Sequence, residues 1–114
     1  MSLINKYIKE NASSKSTDLD GWQVCPMIHC NDGFSFSVQA SEYHYSVPRK
    51  AKAFHYKAVE VGFPSKKESL LVDFVEPSFQ DGEKIRWTKT VYPYVPVEVV
   101  NNIILKHGGI KEDI

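Results

Sequence analysis

The side chains best suited to chemistry are two cysteines and three histidines, namely Cys25, His29, Cys30, His44 and His55. Thiolate and imidazole are the ligands that zinc prefers. The spacing argues against a zinc site, because Cys25 and Cys30 are five residues apart on a predicted strand and would lie on opposite faces. We therefore predict no bound metal, with Cys30 a small core residue and Cys25 a partly exposed thiol.

Catalysis by a cysteine nucleophile needs a positioned histidine base and usually an orienting Asn or Asp, and most chains of this size contain such residues by chance. The sequence contains no glycine-rich phosphate loop, no His-Glu-x-x-His and no Gly-x-Ser-x-Gly. His107 falls in the last turn of a predicted helix, where we expect it to interact with free backbone carbonyls. Binding is therefore favoured over enzyme activity, and no cofactor is expected.

A recognition surface is the more promising interpretation of residues 43–49. Tyr43, His44 and Tyr45 precede Arg49, which is one of only two arginines in the chain. A guanidinium binds carboxylate or phosphate through parallel hydrogen bonds, and tyrosine rings stack on bases or anchor protein interfaces. We predict a binding site at these four residues. The alternative is that the tyrosines pack as strand residues while Arg49 joins a surface ion pair.

Gln39 and Glu60 are two further candidates for this site. Gln39 belongs to a row of uncharged side chains that a predicted hairpin places on the face away from the core. The row comprises Gln23, Cys25, Met27, His29, Ser35, Ser37, Gln39 and Ser41. Glu60 lies on a later strand, where its carboxylate could face Arg49 or a ligand. For both candidates the alternative is an ordinary solvated sheet face.

A β-hairpin is the element that positions the first of these residues. Apolar and polar residues alternate on both sides of an Asn-Asp-Gly turn that ends at Gly33. A three-residue loop with Gly33 in the left-handed conformation pairs Ile28 with Phe36 and Val24 with Ala40. Because a one-residue slip would turn every side chain over, the matching of apolar residues favours this register.

Two more strands complete a mainly antiparallel sheet of about four strands. Residues 56–63 alternate, with Val59, Val61 and Phe63 on one face and Ala58, Glu60 and Gly62 on the other. The last strand contains Ile85, Trp87 and residues 91–94. We expect it at the edge of the sheet, because its proline lacks the N–H that a ladder needs.

Two helices are expected on one face of this sheet, which makes the fold α+β. Ser65 and Glu68 have the spacing of a capping box ahead of a helix over residues 66–76. Pro96 occupies a favoured first position of the last helix, and Gly108-Gly109 ends it.

A third, shorter helix is predicted behind Ser2, over residues 3–11. Residues 12–21 are rich in Ser, Lys, Asp and Thr, which is typical of a flexible connection. The helix is therefore expected to be a loosely tethered appendage. We divide the chain into residues 1–21 and a single α+β domain over residues 22–114.

The composition is that of a folded globular protein, with 114 residues of which 42% are hydrophobic and 25% charged. Its 14 basic and 14 acidic side chains cancel, so the whole chain offers no long-range attraction for nucleic acid or anionic lipid. No apolar run is as long as the roughly 20 residues that a membrane span needs. Residues 1–11 are not typical of a signal peptide. We expect a cytoplasmic protein with free thiols.

Three blocks of the sequence resemble a family of small proteins encoded by phages and prophages, to which no activity is assigned. The blocks run from Cys30-Asn31-Asp32-Gly33-Phe34 through Ser37-Val38-Gln39-Ala40-Ser41 to Arg49, over Val59-Glu60-Val61-Gly62-Phe63-Pro64-Ser65, and from Val91-Tyr92-Pro93-Tyr94-Val95-Pro96-Val97 to Gly108-Gly109. The resemblance covers most of the chain from Trp22 onward. It leaves out the N-terminal helix.

The resemblance implies a phage or prophage accessory protein in the cytoplasm of a bacterial host. Phages encode many small proteins that occupy or inhibit host machinery, so the leading expectation is an inhibitor of a host defence protein, with a host or phage protein as partner. The second expectation is a protein that sequesters a small nucleotide, with Arg49 on the phosphate and tyrosines against the base. A small hydrolase or zinc-binding module is third. No membrane partner is expected, and homo-oligomers are left open.

Overall fold

Four strands joined in sequence order form the sheet. The computed structural model describes residues 2–13, 21–75 and 85–112. The elements are helix α1 (Leu3–Asn11), strands β1 (Ile28–His29), β2 (Ser35–Gln39) and β3 (Ala58–Gly62), a 3₁₀ helix (Ser69–Phe74), strand β4 (Val91–Pro96) and helix α2 (Val97–Lys106). All neighbouring strands are antiparallel in the order β1-β2-β3-β4. The predicted α+β class is confirmed.

The hairpin has the register that apolar matching predicts. Ile28 pairs with Phe36, and both side chains are buried in the core. The Cys30 N–H donates to the carbonyl of Phe34 at 2.8 Å, and Gly33 has a φ of +96°. The three-residue loop with a left-handed glycine is therefore confirmed.

The strand before this loop is shorter than predicted, and its expected pairing of Val24 with Ala40 is wrong. Val24 instead forms a bridge with Ser13. The reason lies in Gln39, whose side chain accepts from the Cys25 N–H at 2.7 Å and donates to the Cys25 carbonyl at 2.8 Å. These two bonds take the place of a backbone ladder at this point.

Strand β4 forms the edge of the sheet beyond β3, as predicted. Val59 pairs with Val95 and Val61 with Tyr92, so two residues of β4 oppose one of β3 and form a bulge. Pro93, which cannot donate a ladder hydrogen bond, lies within the bulge. Of the residues predicted to extend this strand, Ile85 and Trp87 lie outside it. Phe63, predicted on the same face as the buried Val59 and Val61, is exposed, because its φ of +52° turns it out of the strand pattern.

Helix α2 covers the core where the sequence predicts it. Its buried face consists of Val97, Val100, Ile103 and Ile104. Pro96 is the residue before its first turn, and Gly108 and Gly109 follow its end with φ values of +89° and +90°. Among the described residues, no helix has both the length and the apolar composition that crossing a membrane requires.

Helix α1 packs into the same core, so the expectation of a loosely tethered appendage is wrong. Ile4 and Ile8 are buried against it. Asn5 donates to the Tyr56 carbonyl at 3.0 Å and accepts from the Tyr56 N–H at 2.7 Å. Ser2 caps the helix, as predicted. Of the predicted flexible connection, residues 14–20 lie outside the described part of the chain.

The α-helix predicted over residues 66–76 is a 3₁₀ helix over Ser69–Phe74 instead. Glu68 is its N-cap residue and accepts from the Leu70 N–H, so the helix begins later than the capping box predicts. Ser65 does not serve as the cap, because its hydroxyl accepts from the Ser35 N–H at 3.0 Å. The prediction that Pro77 ends the helix falls outside the described residues.

Candidate functional site

Residues 41–47 cross the face of the sheet that is opposite to the core. At their far end Val47 bridges to Ala58 of β3. Midway, the carbonyl of Tyr45 accepts from the Tyr94 N–H at 3.2 Å. Tyr94 belongs to the bulge of β4 and has a φ of +52°, so the bulge turns its N–H toward the crossing segment. Two segments about fifty residues apart are thereby joined at one place.

Tyr45 lies at the centre of this junction. Its ring centroid is 5.7 Å from that of Tyr94, and the guanidinium carbon of Arg49 is 5.2 Å from the Tyr45 ring centroid. The Nε of Arg49 donates to the Glu42 carbonyl at 2.9 Å, which fixes the guanidinium over the ring. Glu60 accepts from the Tyr45 N–H at 3.2 Å. The structure thus places three of the predicted site residues, Tyr45, Arg49 and Glu60, at this junction.

These groups form an exposed surface, which we call the tyrosine–arginine surface and define as Tyr43, Tyr45, Arg49 and Tyr94. The three tyrosines are 49%, 37% and 44% exposed. Among the described residues, the terminal nitrogens of Arg49 have no hydrogen-bond or ion-pair partner. The surface therefore offers aromatic area and up to four unused N–H donors to a partner.

His44 lies beneath this surface and is buried. Its ring centroid is 4.9 Å from that of Trp22, and its Nδ1 is 2.7 Å from the Ser41 hydroxyl. Burial, followed by the nearby charge of Arg49, lowers the pKa of His44 below the ordinary 6.5. A neutral His44 thus supports the backbone that carries the two tyrosines beside it.

Gln39 also points inward. Besides its two bonds to Cys25, its amide donates to the Ser37 hydroxyl at 2.9 Å. Four members of the predicted polar row, Gln23, Cys25, Gln39 and Ser41, are buried, so the prediction that the row lies on an outer face is wrong for them. Cys25 is only 4% exposed rather than partly exposed, and burial raises its thiol pKa to about 11.

A second polar cluster was missed by sequence reasoning, and we call it the His107 cluster (Asp32, Glu68 and His107). The Nδ1 of His107 is 2.6 Å from the Asp32 carboxylate, and its Nε2 is 2.7 Å from the Glu68 carboxylate. Lys106 forms a salt bridge with Glu68 at 3.0 Å. The expectation that His107 binds helix carbonyls is wrong, because both ring nitrogens face carboxylates. The three members are too far apart in sequence for any local motif to reveal them.

The electrostatics of the His107 cluster favour ionised carboxylates. The Phe34 N–H and then the His107 ring lower the pKa of Asp32. For Glu68 burial opposes ionisation, but hydrogen bonds from the Leu70 N–H, His107 and Lys106 outweigh it and lower the pKa. Ionised carboxylates only accept hydrogen bonds, so Asp32 and Glu68 are the acceptors in their contacts with backbone N–H groups and Lys106.

The His107 cluster has the composition of a catalytic dyad but not its geometry. The ring is 5% exposed, and Phe34 stacks on it at 4.1 Å with an interplanar angle of 11°. Because both nitrogens are bonded to carboxylates, neither is left to take a proton from a substrate. Within the described ranges, no group of three or more His, Cys, Asp or Glu could hold a metal ion. The cluster therefore joins three elements: the hairpin turn, the 3₁₀ helix and the end of α2.

Comparison of the chain with protein families, with curated proteins and with solved structures gives no match. The function must therefore be argued from the site. Of the six residues predicted for binding, Tyr43, Tyr45 and Arg49 are exposed, Glu60 is half-buried beside them, and His44 and Gln39 are internal. Tyr94 was not among them, since only the bulge of β4 brings it to Tyr45.

Proposed function

We propose that this chain acts by binding another protein through the tyrosine–arginine surface. The observation that carries the proposal is the exposure of three tyrosines around an arginine whose terminal nitrogens have no partner in the described chain. Tyrosine and arginine are enriched among the residues that dominate protein-binding energy. The surface is also held in place before binding, by the bonds of Tyr45 to Tyr94 and Glu60, which reduces the entropy lost on association.

The partner we propose is a protein of the bacterial host, in the cytoplasm, which the chain inhibits by occupying a functional surface. The support for this partner is the resemblance to phage and prophage proteins in the three sequence blocks. The tyrosine–arginine surface lies within two of those blocks or at their ends. The family comparisons add no support, so the partner's identity depends on the experiment below.

A small nucleotide is the second candidate, favoured by the free guanidinium nitrogens beside the exposed Tyr43 ring. Arg49 would bind the phosphate and an aromatic ring the base. The geometry favours this candidate less, because the Tyr45 ring already contacts Arg49 and Tyr94. A base that stacks on Tyr45 would have to displace one of them.

The test is affinity capture from a lysate of the proposed host, quantified by mass spectrometry for wild type, Arg49→Ala, Tyr94→Ala and Lys50→Ala. Lys50 is the matched control, since it is an exposed cation next to Arg49. We expect one protein to be retained by wild type and Lys50→Ala and lost with the other two variants. Equal retention by all four proteins would contradict the proposal. A thermal shift with nucleotides that Arg49→Ala abolishes, without protein capture, would favour the second candidate.

A further inference from the structure

A cavity of about 630 Å³ opens between helix α1 and residues 52–56. Ile8 and Ala12 form part of its wall on the helix side, and Ala53 and Phe54 on the loop side. This volume is within the usual range of small-molecule sites. None of the four residues of the tyrosine–arginine surface lines it. The cavity is therefore a separate candidate site.

The loop that forms one wall is held by buried polar groups. Gln23 accepts from the Lys52 N–H at 3.1 Å, and the Tyr56 hydroxyl accepts from the Ala53 N–H at 3.3 Å. The same hydroxyl donates to the Lys50 carbonyl. Lys52 has a φ of +56°, a conformation that costs energy for a residue with a Cβ and is kept here by these bonds. Lys52 and Phe54 thus belong to a loop that is held by hydrogen bonds.

The polar groups at the base of the cavity are already satisfied. Gln23 donates to the Ala40 carbonyl at 2.7 Å and to the Tyr56 hydroxyl at 3.1 Å, and Asn5 is bonded to the Tyr56 backbone. At the base of the cavity a ligand therefore finds the side chains of Asn5, Gln23 and Tyr56 already hydrogen-bonded. The side chain of Phe54 at the rim is 87% exposed, which leaves a large aromatic surface for a ligand to cover.

The charge of the cavity is positive. Lys9 from α1 and Lys52 from the loop are its ionisable basic residues, and no Asp or Glu is among its described lining residues. Neither ammonium has a salt bridge or hydrogen bond within the described ranges. Residues 43–59 contain four Lys or Arg and no Asp or Glu, although the chain as a whole has no net charge. The positive charge is therefore local.

We propose that this cavity binds a small organic anion, with an apolar, aromatic body against Ile8, Ala12 and Phe54 and one anionic head group between Lys9 and Lys52. A carboxylate, a sulfonate or a phosphate fits the head-group position, because an ammonium recognises charge rather than a fixed geometry. The Phe54 ring and the aliphatic walls bury the body.

The probe is 8-anilinonaphthalene-1-sulfonate, an aromatic sulfonate whose fluorescence rises in apolar sites, titrated into the folded protein. Its uncharged analogue N-phenyl-1-naphthylamine is the matched control. We expect saturable binding of one sulfonate probe per chain. The affinity should fall about threefold in Lys9→Met or Lys52→Met and about tenfold in the double variant, as the loss of partly exposed ion pairs implies. The affinity of the uncharged analogue should stay the same.

Lys6→Met and Lys57→Met are the control variants, since both lysines are exposed and neither lines the cavity. Displacement by 2-naphthoate and by 2-naphthyl phosphate shows which head group is preferred. Amide shift changes on titration should fall at Ile8, Ala12 and Ala53, a readout that needs no variant. The proposal is overturned if the double variant binds the sulfonate probe as wild type does, or if the shift changes fall elsewhere.

Discussion

The tyrosine–arginine surface and the His107 cluster use their hydrogen-bonding side chains in opposite ways. In the cluster both nitrogens of His107 are bonded to carboxylates and the ring is stacked on Phe34. At the surface, Arg49 uses only its Nε within the described chain, and the tyrosines around it are exposed. Polar groups that are satisfied internally stabilise the fold, whereas exposed groups with unused donors are available to a partner.

The comparison predicts that substitutions in the two regions affect different quantities. Changes in the cluster should lower the free energy of unfolding. Changes at the surface should lower the affinity for a partner and leave stability nearly unchanged.

The largest effect is expected for His107→Ala. It removes both carboxylate contacts and leaves Glu68, whose side chain is 1% exposed, with fewer partners. We expect the free energy of unfolding to fall by about 3 kcal/mol, because the buried Glu68 carboxylate loses a hydrogen-bond partner and the missing ring leaves a cavity against Phe34. Urea denaturation measures this free energy of unfolding. The exposed His29 is the control, and His29→Ala should change stability by less than about 0.5 kcal/mol. If the two variants were equally stable, the cluster would not hold the fold together.

A smaller loss is expected for Gln39→Ala, beneath the surface. The substitution leaves the N–H and carbonyl of the buried Cys25 without their partner, at a cost of about 2 kcal/mol in unfolding free energy. Ser37→Ala removes only one bond of the Gln39 amide and should cost less than about 0.5 kcal/mol. Equal losses in both variants would mean that Gln39 contributes no more than an ordinary sheet residue.

The two regions should also respond to acid at different pH. The folded pKa of His44 is lowered, so its contribution to stability is present above the ordinary value of 6.5 and is lost as the pH falls below it. The folded pKa values of Asp32 and Glu68 are lowered too, so their contributions persist to lower pH. They are lost as the pH falls below the ordinary values of 3.8 and 4.5.

Amide chemical shifts followed by NMR from pH 8 to pH 3 separate these steps. Residues 41–47 should change below about pH 6.5, and residues 32 and 68 should show the step of their own carboxylates near pH 4 and below. Simultaneous changes in both regions would show that they are not independent.

The smallest effect on stability is expected for Arg49→Ala. Its guanidinium is exposed and, within the described ranges, makes one hydrogen bond and one ring contact, so the free energy of unfolding should change by less than about 0.5 kcal/mol. Thermal and urea unfolding measure this change. A loss comparable with that of His107→Ala would make Arg49 a structural residue.

The parts of the fold that local patterns determine could be predicted from the sequence. Alternation of apolar residues and the left-handed Gly33 set the hairpin register, and Pro96 with Gly108-Gly109 bounded α2. These signals act between neighbouring residues or across one turn.

The parts that failed depend on contacts between distant segments. The side chain of Gln39 takes the place of a backbone ladder. Glu68 accepts from the Leu70 N–H and also contacts the His107 ring. Neither kind of contact produces a periodic pattern in the sequence. Of the candidate site, Tyr45, Arg49 and Glu60 were identified because their residue types suggest recognition. Tyr94 was not identified, because its position depends on the bulge in β4.

The most direct test of the account is the dissociation constant of the captured partner for Arg49→Ala, measured by titration calorimetry beside wild type and Lys50→Ala. We expect Arg49→Ala to weaken binding by about 2 kcal/mol, which is roughly 30-fold, because a buried interface arginine loses its donor fork. Lys50→Ala should weaken it much less, since an exposed ammonium contributes screened attraction. An Arg49→Ala affinity within twofold of wild type would contradict the proposal that the tyrosine–arginine surface is the binding site.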